Sequence, residues 1–250
     1  MHNILNLSNK ELYRDIRKQS KLKDYRDGMI AGHFLTRDIG RICSVWFIKH
    51  SITPNQITML MIMFGVVGSI LFTISNVWFK TIGYFSWLMW FAMDCSDGQV
   101  ARYTKTFSKY GTEMDYMAHL IDHPCMNIAI LVTFLQMNII NPVFLCFIFI
   151  ANISIELIIR NVTAFDYFHK KLYTTSNPTD SPKQSLLKYL ITQIILYPTM
   201  IVCFSWIIIV GYAFDLNWIL YLYLCWLIAF ILLNLKAIAK HLITYYKSNI

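Results

Sequence analysis

The side chains of this sequence best suited to chemistry are four residues in two short stretches. Asp94 and Asp97 are three residues apart, and Asp115 and His119 are four residues apart. On a helix with about 3.6 residues per turn, each pair shares one face, and two helices joined by a short loop can turn both faces to one place. Three converging carboxylates repel one another unless cations lie between them. The spacing therefore predicts a metal site.

The donor atoms indicate which metal this site would bind. Carboxylate oxygens are the ligands that hard divalent ions such as Mg²⁺ or Mn²⁺ prefer. The imidazole of His119 is a softer ligand, and because it ionises near neutral pH it can also act as a general base. A structural histidine bonded to a backbone carbonyl is the alternative interpretation of His119.

Small and basic residues follow the first aspartates. Gly98 and Ala101 come one turn after Asp94 and Asp97, and Arg102 comes next. Small side chains leave the helix surface bare, so that a base or a phosphate can approach the backbone. The guanidinium group adds a fixed positive charge that suits a phosphate or a carboxylate. We therefore expect an anionic ligand beside the metal site.

The composition is that of a membrane protein. Hydrophobic residues make up 56% of the 250 residues and charged residues 14%, and the apolar residues form blocks of about 20, the length that crosses a bilayer. The net charge of +8 comes from lysines and arginines at the N-terminus and in alternate loops. Membrane orientation explains this distribution better than nucleic-acid binding, so we expect no nucleic acid partner.

The hydropathy pattern predicts an all-α, polytopic membrane fold with an N-terminal region of interfacial helices. Residues 9–25 and 33–50 carry too many charges to span, which favours helices in the headgroup layer. After the Thr53-Pro54-Asn55 break, we predict six transmembrane helices at about 56–75, 82–104, 112–137, 142–163, 186–213 and 216–242. This divides the chain into N-terminal helices, 1–52, and a six-helix catalytic domain, 53–250.

The distribution of lysines and arginines predicts the orientation. Three connections on one side are basic like the N-terminus, whereas the three on the other side have only Lys80 between them. Because cytoplasmic loops carry the excess of basic residues, we place both termini and the carboxylate cluster on the cytoplasmic side. The cytoplasmic (inner) membrane is the expected location.

These features together resemble the CDP-alcohol phosphotransferase (CDP-alcohol phosphatidyltransferase) family. Its signature reads D-x2-D-G-x2-A-R, then eight residues, then G-x3-D-x3-D. Every position but the last is matched here, by Asp94, Asp97, Gly98, Ala101, Arg102, Gly111 and Asp115. Members also resemble this chain in having an amphipathic N-terminal helix, six membrane helices and a Pro-Asn-x-x-Thr segment before the first span, here Pro54-Asn55-Gln56-Ile57-Thr58.

The resemblance implies a role for each matched residue. Asp94, Asp97 and Asp115 would hold two Mg²⁺ or Mn²⁺ ions that bind the pyrophosphate of the donor. The nucleotide would be seated by Gly98, Ala101, Arg102 and Asn55.

The chain departs from the family signature at its last position, where His119 replaces the aspartate that would act as the base. His119 is therefore a candidate for both the base and a metal ligand. Asp122 is the second candidate for the base, because it lies on nearly the same face as Asp115, about one turn deeper than His119.

Three functions are compatible with these residues. The first is a metal-dependent transferase that moves a phospho-alcohol or phosphatidyl group from a CDP-alcohol to the hydroxyl of an alcohol or lipid acceptor and releases CMP, in phospholipid or glycolipid synthesis. The second is a binding protein that lost catalysis with the change at His119. The third is a small cation transporter, against which the Gly-x-x-Ala-Arg continuation argues. A homodimer is compatible with the resemblance, and which substrate is the lipid stays open.

Overall fold

The structure is a computed structural model, which describes residues 7–19, 37–173, 185–186, 201 and 204–248. Within these ranges the chain forms helices and no strand, which confirms the predicted all-α class. The eight helices are α1 (Asn9–Lys18), α2 (Arg37–Lys49), α3 (Pro54–Thr73), α4 (Val77–Thr104), α5 (Gly111–Met137), α6 (Pro142–Tyr173), α7 (Ser205–Ala213) and α8 (Asn217–Ser248).

Four of the described helices are long and apolar enough to cross a membrane. These segments correspond to the first, third, fourth and sixth predicted spans, and they are Pro54–Thr73, Gly111–Met137, Pro142–Asp166 and Asn217–Lys247. The second predicted span lies within α4, which is 28 residues long but contains four charged residues. Most of the fifth, 186–213, lies outside the described residues. Helix α6 continues ten residues beyond its predicted end at residue 163.

Helix α3 begins where the Thr53-Pro54 break predicts. The Thr53 hydroxyl accepts a hydrogen bond from the backbone N–H of Gln56, and the Gln56 side chain accepts one from the backbone N–H of Thr53. This reciprocal cap satisfies two N–H groups that the first turn leaves free, and Pro54 at the first helical position has no N–H to satisfy.

Helix α3 is central to the bundle, because it packs against both helices that carry the motif, α4 and α5. Its contact with α4 depends on two glycines: a Cβ at Gly83 would lie 2.6 Å from the carbonyl oxygen of Gly68. Beside them, the rings of Phe72 and Trp87 stack with centroids 4.5 Å apart. Small residues at such a crossing let two backbones approach closely, as in many membrane helix pairs. The spacing of α3 and α4 is therefore set by these glycines.

Lys80 differs from its predicted position. The sequence pattern placed it in a connection on the far side, but it lies within α4 and is completely buried. Its ammonium group donates to the Phe72 carbonyl at 2.8 Å, to the Thr133 hydroxyl at 2.8 Å and to the Gln136 amide oxygen at 2.9 Å. Three acceptors match its three donors. Lys80 therefore joins the end of α3 to α5 at the far end of the bundle.

The N-terminal helices pack onto the bundle. Leu12 and Ile16 of α1 are buried, and α1 packs on α2, which in turn packs on α4. The hydroxyl of Tyr13 donates to Asp38 at 2.9 Å. Residues 20–36, which include the rest of the predicted helix 9–25, lie outside the described residues. Helix α1 thus lies beside the end of α4 that carries the aspartates.

Candidate active site

The carboxylates of the two motif halves meet between α4 and α5. The Nε2 atom of His119 lies 3.1 Å from Asp94 Oδ1 and 3.7 Å from Asp115 Oδ1. The backbones of these two helices make few close approaches, since α3 packs between them, and side chains make the contact. The cleft between them is therefore bridged by side chains from both halves of the motif, as the helical spacing predicts.

The positions of these side chains fit a divalent ion. One ligand atom from each of Asp94, Asp115 and His119 lies within 4.8 Å of the others, and all three residues are partly buried. Asp115 Oδ1 is buried and has no hydrogen-bond partner among the described residues. A buried carboxylate oxygen without a donor is costly unless a cation binds it. The donor set of two carboxylates and one imidazole is compatible with Mn²⁺ and, with more reliance on the oxygens, with Mg²⁺.

Asp97 is held separately, by two donors. The hydroxyl of Thr58 donates to Asp97 Oδ2 at 2.9 Å, and the backbone N–H of Gly98 donates to Oδ1 at 2.5 Å. Asp97 is not one of the three clustered ligands. Sequence reasoning assigned no role to Thr58, although it is the last residue of the Pro-Asn-x-x-Thr segment, and that segment was the signal that could have identified it.

Two cavities meet at the motif. They share Asp97, Gly98, Arg102 and Asp115. The first, of about 440 Å³, is also lined by Asp94 and by four residues of the N-terminal region, which are Ile16, Gln19, Arg37 and Arg41. The second, of about 310 Å³, extends instead to Pro54, Asn55, Thr58, Ala101, Thr106, Phe107, Ser108, Gly111 and Thr112. The predicted nucleotide residues thus all line the second cavity.

Gly98 and Arg102 are in close contact. A Cβ at Gly98 would lie 2.9 Å from Nη1 of Arg102, so the guanidinium group packs over the bare backbone of the glycine. An alanine here would push the guanidinium group away from this position. The close packing of Arg102 thus explains why a glycine suits this position of the motif. Arg102 itself lies where both cavities meet.

Asp122 lies deeper than His119, and neither side chain is among those that line the two cavities. It is completely buried and accepts a hydrogen bond of 2.8 Å from the indole N–H of Trp90. The Trp90 ring also contacts the rings of His119 and His123 edge-on, with centroids 5.5 Å away in each case. Its other oxygen, Oδ1, is buried and has no hydrogen-bond partner among the described residues. Of the two candidates for the base, only His119 reaches the carboxylate cluster.

Three polar residues of α6, Asn152, Glu156 and Arg160, form a group that contacts α5. Glu156 accepts from Arg160 at 2.8 Å and contacts Nδ1 of His123 at 2.5 Å. The Asn152 amide donates to Asn127 at 3.0 Å. Glu156 and Arg160 are thus paired within α6, and Arg160 also lines a cavity of about 510 Å³ between α5 and α6. His123 and Asn127 join this group to α5.

Comparison with known families tests the resemblance. The sequence model of one family, CDP-alcohol phosphatidyltransferase, matches residues 51–228, which is more than half of the chain. The chain belongs to this family. No curated protein sequence matches the chain.

Membership in the CDP-alcohol phosphatidyltransferase family confirms the predicted family and gives the class of activity. The protein is a multi-pass membrane protein of a transferase family, and the family name indicates phosphotransfer from a CDP-alcohol in lipid synthesis. The matched range includes both halves of the motif and the segment from Pro54 to Thr58. Arg37 and Arg41, which line the first cavity, lie before it.

Proposed function

We propose that this protein transfers a phospho-alcohol or phosphatidyl group from a CDP-alcohol donor to the hydroxyl group of an alcohol or lipid acceptor and releases CMP. The observation that carries the proposal is the convergence of Asp94, Asp115 and His119 between the two motif helices, beside cavities that contain Arg102. A hydroxyl, a diphosphate and a metal can be brought together at such a site.

The aspartates and the small residues have distinct roles in this proposal. Asp94, Asp97 and Asp115 would hold divalent ions, most simply two Mg²⁺ or Mn²⁺, which neutralise the diphosphate and the charge that develops on it. Thr58 orients Asp97 through its hydrogen bond. Gly98, Ala101, Arg102 and Asn55 would seat the cytidine nucleotide, which is supported by their common position in the second cavity.

His119 is proposed as the general base. Its Nε2 atom faces the carboxylates. An Nε2 atom that binds a metal ion cannot accept a proton at the same time, so as the base His119 leaves the metal to the aspartates. The Asp94 carboxylate, 3.1 Å from Nε2, would stabilise the imidazolium that forms once this nitrogen has taken the proton. The burial of Asp122 and its bond to Trp90 favour His119 over Asp122, because the base must reach the acceptor.

The proposed step replaces one bond to the phosphorus of the donor with another. The acceptor oxygen forms a bond to the phosphorus that carries the alcohol of the donor, and the bond from this phosphorus to the bridging oxygen breaks. CMP leaves with that oxygen and its electron pair, while the acceptor proton moves to His119 Nε2. Positioning and charge neutralisation are the main requirements of such a phosphoryl transfer.

The first experiment is CMP release by the purified protein with Mg²⁺ or Mn²⁺, over a panel of CDP-alcohols and acceptors. We expect metal-dependent release that falls by about 10²-fold or more in His119→Ala, the usual range for a lost general base, and is largely retained in Asp122→Ala. Asp97→Asn should also lose activity. Tight CDP-alcohol binding without CMP release for any pair would favour the binding protein instead, and full activity of Asp97→Asn would contradict the mechanism.

A further inference from the structure

The first cavity contains two arginines, Arg37 and Arg41, for which the proposed chemistry has no use. They are four residues apart on α2 and therefore share one face of that helix. Both line the first cavity together with Asp94, Asp97 and Asp115. In the sequence they are two of the charges that predict an interfacial helix at residues 33–50.

Close packing fixes how α2 is rotated against α4. A Cβ at Gly40 would lie 3.0 Å from the Cβ of Cys95, so the backbone of α2 lies directly against α4. The hydroxyl of Ser96 donates to the Gly40 carbonyl at 2.8 Å, and the hydroxyl of Ser44 donates to Gln99 Oε1 at 2.9 Å. Gly40 and Ser44 hold one face of α2 in place, which leaves Arg37 and Arg41 in the cavity wall.

The two arginines carry like charges on the same face of α2. Arg41 pairs with Asp38, which also accepts the Tyr13 hydroxyl, so that α1 helps to hold the Arg41 side chain. Partial burial, and then the positive charge of Arg41, lower the pKa of Arg37. A guanidinium group nevertheless stays protonated in proteins. Two like charges held close together favour an anion between them.

We propose that Arg37 and Arg41 bind an anionic group of a substrate, a phosphate or a carboxylate, that is separate from the diphosphate of the donor. This rests on the proposed function, in which the nucleotide occupies the second cavity and the diphosphate lies at the residues shared by both. The first cavity then receives the acceptor or the alcohol part of the donor. Because guanidinium groups bind phosphate and carboxylate through two parallel hydrogen bonds, that alcohol is an acidic or phosphorylated one.

The test is the binding of radiolabelled inorganic phosphate to the full-length protein in nanodiscs of zwitterionic lipid, with EDTA present so that no metal site competes. We expect Arg37→Gln to bind phosphate at least about tenfold more weakly than the wild type, as for a lost charge-assisted hydrogen bond. Arg14→Gln is the matched control, since it removes the same charge from an exposed position on α1 and should bind phosphate like the wild type. Equal phosphate affinity of Arg37→Gln and the wild type would overturn the proposal.

A second variant guards against misfolding. Arg41 is buried and paired, so Arg41→Lys is used, which keeps the charge and removes the planar fork. It should weaken phosphate binding less than Arg37→Gln does, while the thermal unfolding midpoint stays close to that of the wild type. Wild-type phosphate affinity in both variants would contradict the assignment even if CMP release were found. Conversely, phosphate binding that needs Arg37 would stand even if no CDP-alcohol were turned over.

Two competitors identify the source of the anion. Displacement of phosphate by sn-glycerol 3-phosphate, but not by glycerol, would assign the site to a soluble phospho-alcohol. Loss of phosphate binding in nanodiscs that contain phosphatidic acid, but not in those with phosphatidylcholine alone, would assign it to a lipid headgroup. If these competitors and carboxylate-bearing alcohols such as serine all fail to displace the phosphate, the site does not belong to a substrate and the proposal is wrong.

Discussion

His119 is the residue at which this chain departs from the family signature, and its Nε2 atom has two competing uses. It lies 3.1 Å from Asp94 and within the group of atoms that could hold a metal. As a ligand it would bind the ion directly, whereas as a base it must keep its lone pair for the proton of the acceptor. The two uses predict different spectra of a bound ion.

If His119 is the base, Mn²⁺ bound to the wild-type protein should show no directly coordinated nitrogen. We expect the electron spin-echo modulation of bound Mn²⁺ to lack a first-sphere ¹⁴N signal, and His119→Ala to change Mn²⁺ affinity by no more than a few-fold. Asp115→Asn, which removes an anionic ligand, should weaken Mn²⁺ binding about 10-fold or more. A strong nitrogen signal that disappears in His119→Ala would make His119 a ligand instead.

Thr58 offers a second test, because its hydroxyl orients Asp97 across two helices. Thr58→Val keeps the shape and removes the donor, so kcat/KM for CMP release should fall about 3- to 10-fold, as for one hydrogen bond. Thr81→Val is the matched control, since the Thr81 hydroxyl donates only to the Val77 carbonyl of its own helix. Equal effects of the two variants on kcat/KM would show that the hydrogen bond to Asp97 does not matter.

At the scale of the elements, α3 positions the catalytic helices. It contacts α4 through the crossing at Gly68 and Gly83 and packs on α5 along its other side. Because the backbones of α4 and α5 make few close approaches to each other, a shift of α3 would change the distance between Asp94 and His119. The separation of the motif halves therefore depends on the packing of a helix that carries none of the motif's carboxylates.

The glycine crossing can be tested through stability. A Cβ at Gly83 would meet backbone atoms of α3 at 2.6 and 2.9 Å, which a side-chain movement cannot relieve. Gly83→Ala should therefore lower the free energy of unfolding by about 1 to 3 kcal/mol, the range for overpacking, seen as a lower thermal midpoint in detergent. Gly211→Ala is the control, because its nearest neighbours would be 3.5 Å or more away. A midpoint unchanged in Gly83→Ala would contradict the close crossing.

At the scale of the whole molecule, the orientation in the membrane decides which compartment supplies the nucleotide. The basic residues predict that both termini and the site face the cytoplasm, where a soluble CDP-alcohol would reach it. The structure places Lys80 inside the bundle, which leaves the three far-side connections with no lysine or arginine of their own. This sharpens the charge difference from which the orientation was predicted.

Reporter fusions test this orientation. Green fluorescent protein fused after Ile250 should fluoresce, and alkaline phosphatase inserted at Asn141, in the connection between α5 and α6, should be active, because each reporter works on one side of the membrane only. Exchanging the two reporters should abolish both signals. An active phosphatase at Ile250 would place the C-terminus outside and the site with it.

Much of the site could be predicted from the sequence, because the relevant patterns are local. The repeat of the α-helix puts Asp94 beside Asp97 and Asp115 beside His119 whatever the rest of the chain does. Apolar blocks of about 20 residues predict membrane helices for a similar reason, and the Thr53-Pro54 pair predicts the start of α3. The class of fold, the family and the carboxylate cluster all follow from spacing along the chain.

Contacts between distant helices could not be predicted in this way. The bond from Thr58 to Asp97, the burial of Lys80 and the place of Arg37 in the cavity wall all depend on how each helix is rotated and offset against its neighbours. That rotation is set where small residues allow backbones to touch, at Gly40 and at the pair Gly68 and Gly83. A helical pattern tells which residues share a face, but close packing across the bundle selects what that face meets.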